Sequence, residues 1–400
     1  MPSRLRPLLL SFVALALAVS SAAPALASNG PALPPGMVHH DSSTWSLVPT
    51  TNQTRSILNG VSCVSATDCT AVGSVHNAPE TLVESWNGTA WSVVPSPNPG
   101  PGDNILYGVS CASATDCTAV GVSIQKVVGG GRTSKTLVES WNGTAWSAVP
   151  SPNGSGDSNL FGVSCVSVTD CTAVGSSGGS ARTLVESWNG TAWSVVPSPN
   201  ASGPSSALLA VSCVSATACT AVGSYDNAQD IGRTLVESWN GTAWSVAPSP
   251  NKGSGENYLT GVSCVSGTDC TAVGTNSKDK DRTLAESWDG TAWSVVPSPN
   301  KGSGDFLTGV SCVSATACTA VGRYFPTSHG DGLRTLVESW NGTAWSAVST
   351  PNKVTGSSRN YLDGVSCDPA TACNAVGYYQ KLNKGDKSLA ESNDVAPSSW

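Results

Sequence analysis

Residues 58–74 read LNGVSCVSATDCTAVGS and residues 81–98 read TLVESWNGTAWSVVPSPN, and both segments return along the chain, separated by variable stretches, with a period of about fifty residues. The first cysteine of each copy is Cys63, Cys111, Cys165, Cys213, Cys264, Cys312 and Cys367, so there are seven copies. Within a copy, four short runs rich in Val, Leu, Thr and Trp alternate with turn residues, and none carries a helical period. In the first copy these runs are roughly Leu58 to Cys63, Cys69 to Ser74, Thr81 to Asn87 and Trp91 to Pro95. Four strands in a unit of this size make a propeller blade, and the expected fold is an all-β, seven-bladed β-propeller of four-stranded blades.

The two ends of the chain bear on closure. Thr44-Trp45-Ser46-Leu47-Val48-Pro49 precedes the first full copy and matches the fourth run, TAWSVVP. The last copy supplies GVSC, CNAVGYY and SLAES and then loses the pattern, with Asn393 where a Trp is expected. The N-terminal strand, 44–49, is therefore expected to complete the last blade and close the ring, which leaves no open sheet edge. The competing assignment makes Val395 to Trp400 a degenerate fourth strand. Closure of this kind puts the GVSC strands nearest the axis, where space is shortest. Small residues recur there: Gly60, Gly108, Gly162, Ala210, Gly261, Gly309 and Gly364.

Ahead of the repeats, Arg4 and Arg6 precede an apolar run from Leu8 to Val19 and the sequence Ala25-Leu26-Ala27, the pattern of a cleaved secretory signal. The expected organisation is a signal peptide over 1–27, a tail over 28–43 and one propeller over 44–400. The apolar run is too short to span a bilayer and no later stretch is longer, so no membrane span is expected. The expected location is secreted and extracellular. Without the two signal arginines, 18 basic residues face 27 acidic ones, a net of −9. That balance, with no cluster of Lys and Arg, argues against nucleic acid as a partner.

All 14 cysteines follow the signal, in C-x5-C pairs: Cys63 with Cys69, Cys111 with Cys117, Cys165 with Cys171, Cys213 with Cys219, Cys264 with Cys270, Cys312 with Cys318, and Cys367 with Cys373. Each pair brackets a short turn between adjacent strands, which lets the two residues face each other, and an exported chain keeps such bonds oxidised. Zinc spacing and the C-x-x-C redox motif are both absent. No cofactor or metal is expected.

Three other recurrent features each admit two readings. The Trp pairs, from Trp86 with Trp91 to Trp340 with Trp345, flank N-G-T-A turns. They are either sugar-stacking platforms or wedge filling between blades, and recurrence in nearly every blade is what wedge filling predicts. The turns also form sequons at Asn87, Asn142, Asn189, Asn240 and Asn341, but Asp289 stands in one copy, so tight-turn chemistry explains them better. Glu84, Glu139, Glu186, Glu237, Glu286, Glu338 and Glu391 recur in the third strand, often with Arg or Lys four residues earlier. A ring of carboxylates can bind cations; acceptance of hydrogen bonds or of a basic partner at a blade interface is the expectation.

Connectivity sends the C-x5-C and N-G-T-A turns to one face, which is nearly uniform around the ring. The second-to-third and fourth-to-first connections open on the other, where Val122 to Lys135, Tyr225 to Gly232, Thr275 to Asp281, Tyr324 to Leu333 and Tyr378 to Lys387 differ in length and charge. Binding loops on a rigid scaffold vary in this way. The candidate binding face is accordingly assigned to Arg182, Arg233, Arg282, Tyr324, Arg334 and Tyr378.

The segments SWNGTAWSVVPSPN and GVSCVSATDCTAVG resemble repeat proteins exported by actinobacteria, which are similar to the kelch-like central propeller of galactose oxidase. That resemblance implies the fold and little about function. Galactose-oxidase copper chemistry requires two Tyr, two His and a Cys-crosslinked Tyr. This chain has only His39, His40, His76 and His329, and all its cysteines pair within the repeat. The S-x-D-x-G-x-x-W turn of sialidases and the G-x-S-x-G elbow of hydrolases are absent as well. No catalytic residue is assigned. The expected function is a non-catalytic binding propeller for an extracellular glycan or protein. The alternatives are a structural or adhesive envelope protein and, less favoured, an enzyme whose site is assembled from single residues of different blades.

Overall fold

The computed structural model describes residues 44–51, 55–75, 80–100, 102–126, 131–154, 156–178, 182–278, 280–326, 332–368, 372–381 and 384–393. The expected signal and tail, all four histidines and the segment Val395 to Trp400 lie outside them.

Seven four-stranded antiparallel sheets form the ring. In blade 1 the strands are Ser56–Ser65, Asp68–Val75, Glu80–Trp86 and Trp91–Val93. The inner strand runs past its expected ends, whereas the outer one stops before Pro95, which has no N–H to continue a ladder. Blade 7 consists of Arg359–Cys367, Cys373–Gln380 and Asp386–Ser392, and the N-terminal strand Ser46–Val48 supplies its fourth, pairing Ser46 with Ser392 and Val48 with Ala390. Trp45 is 6 % exposed and packs into the apolar layer between blades 6 and 7. Asn393 occupies the expected Trp position, and its side chain accepts the Cys373 N–H at 2.5 Å.

The core consists of seven layers, one between each pair of blades. In one of them Val72 and Val83 of blade 1 meet Leu106, Val109, Ala119, Leu137 and Trp146 of blade 2. The second Trp of each pair is buried within such a layer, which supports the wedge-filling reading. Its partner packs against it within the same blade, with ring centroids 5.6–5.9 Å apart and the planes tilted by 37–39°. Crowding near the axis explains the small residues: a Cβ on Gly60 would sit 2.8 Å from the Tyr107 carbonyl oxygen.

Three rings of hydrogen bonds stitch the blades together. In the first, each VSC serine hydroxyl accepts the N–H of the first cysteine in the next blade at 2.9–3.0 Å, from Ser62 with Cys111 around to Ser366 with Cys63. In the second, the C-T-A threonine hydroxyls reach a disulfide sulfur of the next blade at 3.5–3.9 Å, from Thr70 to Thr319. Asn374 replaces threonine in blade 7 and closes that ring onto Cys69 at 3.5 Å. All seven C-x5-C disulfides form, with Cα atoms 3.9–4.0 Å apart. That is the close approach of directly opposed residues at a non-hydrogen-bonded pair of strands.

The third ring involves the recurrent glutamates, all buried. Their partners are hydroxyls rather than the basic residues four positions earlier. Ser151 donates to Glu186 at 2.6 Å, Ser198 to Glu237 at 2.7 Å, Ser249 to Glu286 at 2.8 Å and Ser298 to Glu338 at 2.7 Å, each from the segment leaving the preceding blade. Ser96 does the same for Glu139, and Thr51 for Glu84. The second carboxyl oxygen has no hydrogen-bond partner among the described residues. Burial therefore outweighs the hydroxyl and pushes Glu139, Glu186, Glu237, Glu286 and Glu338 up to about 7.

The N-G-T-A turns divide their work between two residues. Only the glycine takes positive φ, 89° at Gly88. The asparagine is there for its side chain: Asn87 Oδ1 accepts from the Thr89 N–H, the Thr89 hydroxyl and the Ala90 N–H at 2.8–3.0 Å. Asp289 does the same for Thr291 and Ala292. An acceptor oxygen is what the position requires, and both residue types provide one.

Candidate functional site

The blade ends that carry the C-x5-C and N-G-T-A turns repeat the same chemistry around the ring. The opposite ends differ from blade to blade, and an open cleft lies between blades 6 and 7. The blade 6 strands Ala317–Phe325 and Arg334–Trp340 bring Tyr324 and Arg334 opposite each other as register partners. With Pro326, Gly356 and Ser357 they line an open cleft of about 410 Å³. Lys301 lies over the Tyr324 ring at 5.4 Å from its centroid, close enough for a cation–π contact. Arg334 donates to the carbonyls of Val354 at 3.4 Å and Gly356 at 3.3 Å, which holds one wall in place. A smaller hollow of about 50 Å³ lies between blades 5 and 6 near the uniform face, beside Asp269, Trp340 and Trp345.

The remaining residues assigned to the binding face are distributed. Arg182 donates to the Gly203 carbonyl at 3.5 Å, Arg233 to that of Gly255 at 2.9 Å and Arg282 to that of Gly302 at 3.0 Å. These arginines occupy the same repeat position as Arg334, and each ties its blade to the connection entering the next. They stand at successive junctions and share no pocket. Arg282 also meets the buried Asp305 carboxylate at 3.4 Å. Tyr378 lies apart from the cleft, in blade 7, stacked on Tyr361 with ring centroids 4.2 Å apart and planes 13° from parallel.

Around Tyr378 is a cluster that the sequence reading missed. Arg323 lies 5.1 Å from the Phe306 ring centroid and 5.3 Å from that of Tyr361. Its Nη1 is 3.9 Å from Asp363 Oδ1, and the two side chains are 29 % and 21 % exposed. Asp363 is the extra residue at an inner-strand bulge, since the register steps from Leu362 to Gly364; the equivalent position in the first copy is Asn59. Bulges re-aim side chains. Enclosure raises the Asp363 carboxyl to about 6 although the Arg323 charge opposes the shift. Column-by-column comparison of the repeats would have flagged Arg323, because the same position holds Ser74, Val122, Ser176, Ser224 and Thr275 in blades 1–5. Among the described residues, no group of three or more His, Cys, Asp or Glu side chains converges as a metal site would.

Comparison with solved structures gives the fold. The chain is similar to YCF48 bound to D1 peptide, with a TM-score of 0.54, 11 % identity, and 87 % of this chain and 95 % of that one covered. It is also similar to a protein of unknown function from Dyadobacter fermentans, with a TM-score of 0.50, 9 % identity and 87 % and 97 % covered. A third likeness is SapL1 lectin in complex with alpha methyl fucoside, with a TM-score of 0.49, 10 % identity and 76 % and 98 % covered. No protein-family model and no curated protein matches the sequence. A propeller of this kind is compatible with a binding role. Its seven disulfides suit an oxidising, extracellular environment, and no described helix is long and apolar enough to cross a membrane.

Proposed function

We propose that this chain is a secreted, non-catalytic binding propeller whose ligand is an extracellular glycan or protein, taken up on the variable face between blades 6 and 7. Residues 1–27 act as the signal peptide and 28–43 as a tail. The observation that carries this reading is the open 410 Å³ cleft at that junction, lined by Tyr324 and Arg334. An aromatic ring and a guanidinium beside exposed backbone are the groups that orient a polar ligand in an otherwise rigid pocket. Arg182, Arg233 and Arg282 serve the same face by fixing its connections. The test is a thermal-shift screen of the oxidised protein against glycan and peptide arrays. A saturable hit that raises the melting temperature and is lost in Tyr324→Ala and Arg334→Ala supports the site, and a hit indifferent to both variants removes it.

A structural or adhesive envelope protein is the second reading, and the three interblade rings favour it because they confer durability without needing a ligand. It predicts retention in the cell wall fraction of the producing cell and no saturable ligand on either array.

A further inference from the structure

Arg323 and Asp363 have unused hydrogen-bonding capacity at the junction of blades 6 and 7. The Arg323 guanidinium carbon lies over the Phe306 and Tyr361 rings, neither of which satisfies its N–H groups with an oxygen acceptor. Among the described residues it has no hydrogen bond, and its one ionic contact is the 3.9 Å approach to Asp363. A charge-assisted hydrogen bond would be about 2.7–2.9 Å. The two groups therefore face each other across a gap that one oxygen can bridge, about 2.8 Å from each, accepting from Nη1 and donating to Oδ1. Both side chains are reachable from solvent.

We propose that Arg323 and Asp363 form a subsite for a neutral, hydroxyl-bearing ligand, a sugar or polyol, at the junction of blades 6 and 7. A hydroxyl is both donor and acceptor, which the pair requires. A carboxylate or phosphate has no proton for Asp363 and is repelled by it; an ammonium ion is repelled by Arg323. The Tyr378–Tyr361–Arg323–Phe306 stack holds the guanidinium in position before the ligand arrives, so little ordering cost falls on binding. This inference deepens the glycan branch of the proposed function but uses different residues from the cleft.

The experiment titrates the full-length secreted, oxidised protein with glucose, galactose, mannose and xylose, and with glucuronate as the charged control, by calorimetry and thermal shift. Expected is millimolar, saturable binding of at least one neutral sugar, weakened at least tenfold by Arg323→Met, which keeps the length of the side chain and removes its donors. Asp363→Asn, which keeps the shape and removes the charge, is expected to weaken it several-fold and covers the case in which Arg323→Met does not fold. Absence of binding across the neutral panel, glucuronate binding more tightly than glucose, or unchanged affinity in both variants overturns the subsite. Array binding lost in Arg334→Ala but kept in Arg323→Met overturns it while leaving the proposed function standing.

Discussion

Blade 3 and blade 7 are copies of one repeat, and their differences show what the repeat does and does not control. In blade 3 all four strands are consecutive, Ser151 reaches Glu186 from the preceding connection, and the second strand carries the small Ser176. Blade 7 borrows its outer strand from the other end of the chain. The residue equivalent to Ser151 there is Thr350, whose hydroxyl lies 2.8 Å from that of Thr335, and Glu391 has no short serine bond of the kind Glu186 accepts, only the weaker influence of the Thr335 hydroxyl. Burial pushes that carboxyl higher than the others, to about 8. Tyr378 stands where Ser176 does, and Arg323 leans in from blade 6. Departures from the repeat thus gather where the ring closes. Scaffold positions recur because every blade must satisfy the same neighbour contacts, while the closing junction meets different partners and is free to carry specific chemistry.

The comparison breaks most severely if the borrowed strand is removed. Trp45→Ala empties a buried indole site in blade 7 and should cost about 3–5 kcal/mol, seen as a fall in the urea midpoint. Deleting residues 44–49 should abolish a single cooperative transition. An equivalent loss from Trp193→Ala in blade 3 would show that closure adds nothing beyond ordinary wedge packing.

The glutamate ring gives a pH dependence next in size. These groups have folded pKa values near 7 against an ordinary value of 4.5, so between those values the folded chain holds more protons than the unfolded one. Their contribution is full below about pH 4.5, falls as pH rises through 7 and is flat beyond, by on the order of 1–3 kcal/mol per group. Melting temperature should therefore drop between pH 5 and pH 8.5. Glu186→Gln should flatten that slope by one share, and Glu391→Gln should shift its upper end. A melting temperature that rises across the same interval would mean that the carboxyls are ionised in the folded state.

Ser110→Ala, which leaves the Cys165 N–H without its acceptor, should cost about 1–2 kcal/mol. Ser311→Ala at the blade 6–7 junction should match it if the inner ring is uniform, as its geometry indicates; denaturant midpoints decide. Asp289→Asn should be smallest, with no measurable change in melting temperature, because asparagine accepts the same three hydrogen bonds in the five sister turns.

Much of the architecture was legible because it is local and repeated. The C-x5-C spacing gives the disulfides, the alternating runs give the strands, and Trp45 with the missing fourth run of the last copy gives closure. The glycines before VSC even reported the crowding at the axis. What stayed open was which partner a side chain meets when that partner lies in another blade. Glu186 is expected to accept hydrogen bonds or a basic partner at a blade interface; the ring places Ser151 against it and sends Arg182 to the Gly203 carbonyl.

For the candidate site, sequence variation pointed to the face of the variable connections, and two of the residues it singled out, Tyr324 and Arg334, come together at one cleft. It gave no means of knowing that Arg182, Arg233 and Arg282 would be dispersed around the ring. Fold class, blade number, disulfide pairing and the strand that closes the ring were determined by the sequence itself, because each follows from residues close together in the chain or from matching copies of one pattern. The meeting of Phe306, Arg323, Tyr361 and Asp363 was decided only by the tertiary structure: they lie on different strands of two blades, and the bulge at Asp363 turns its carboxylate toward Arg323.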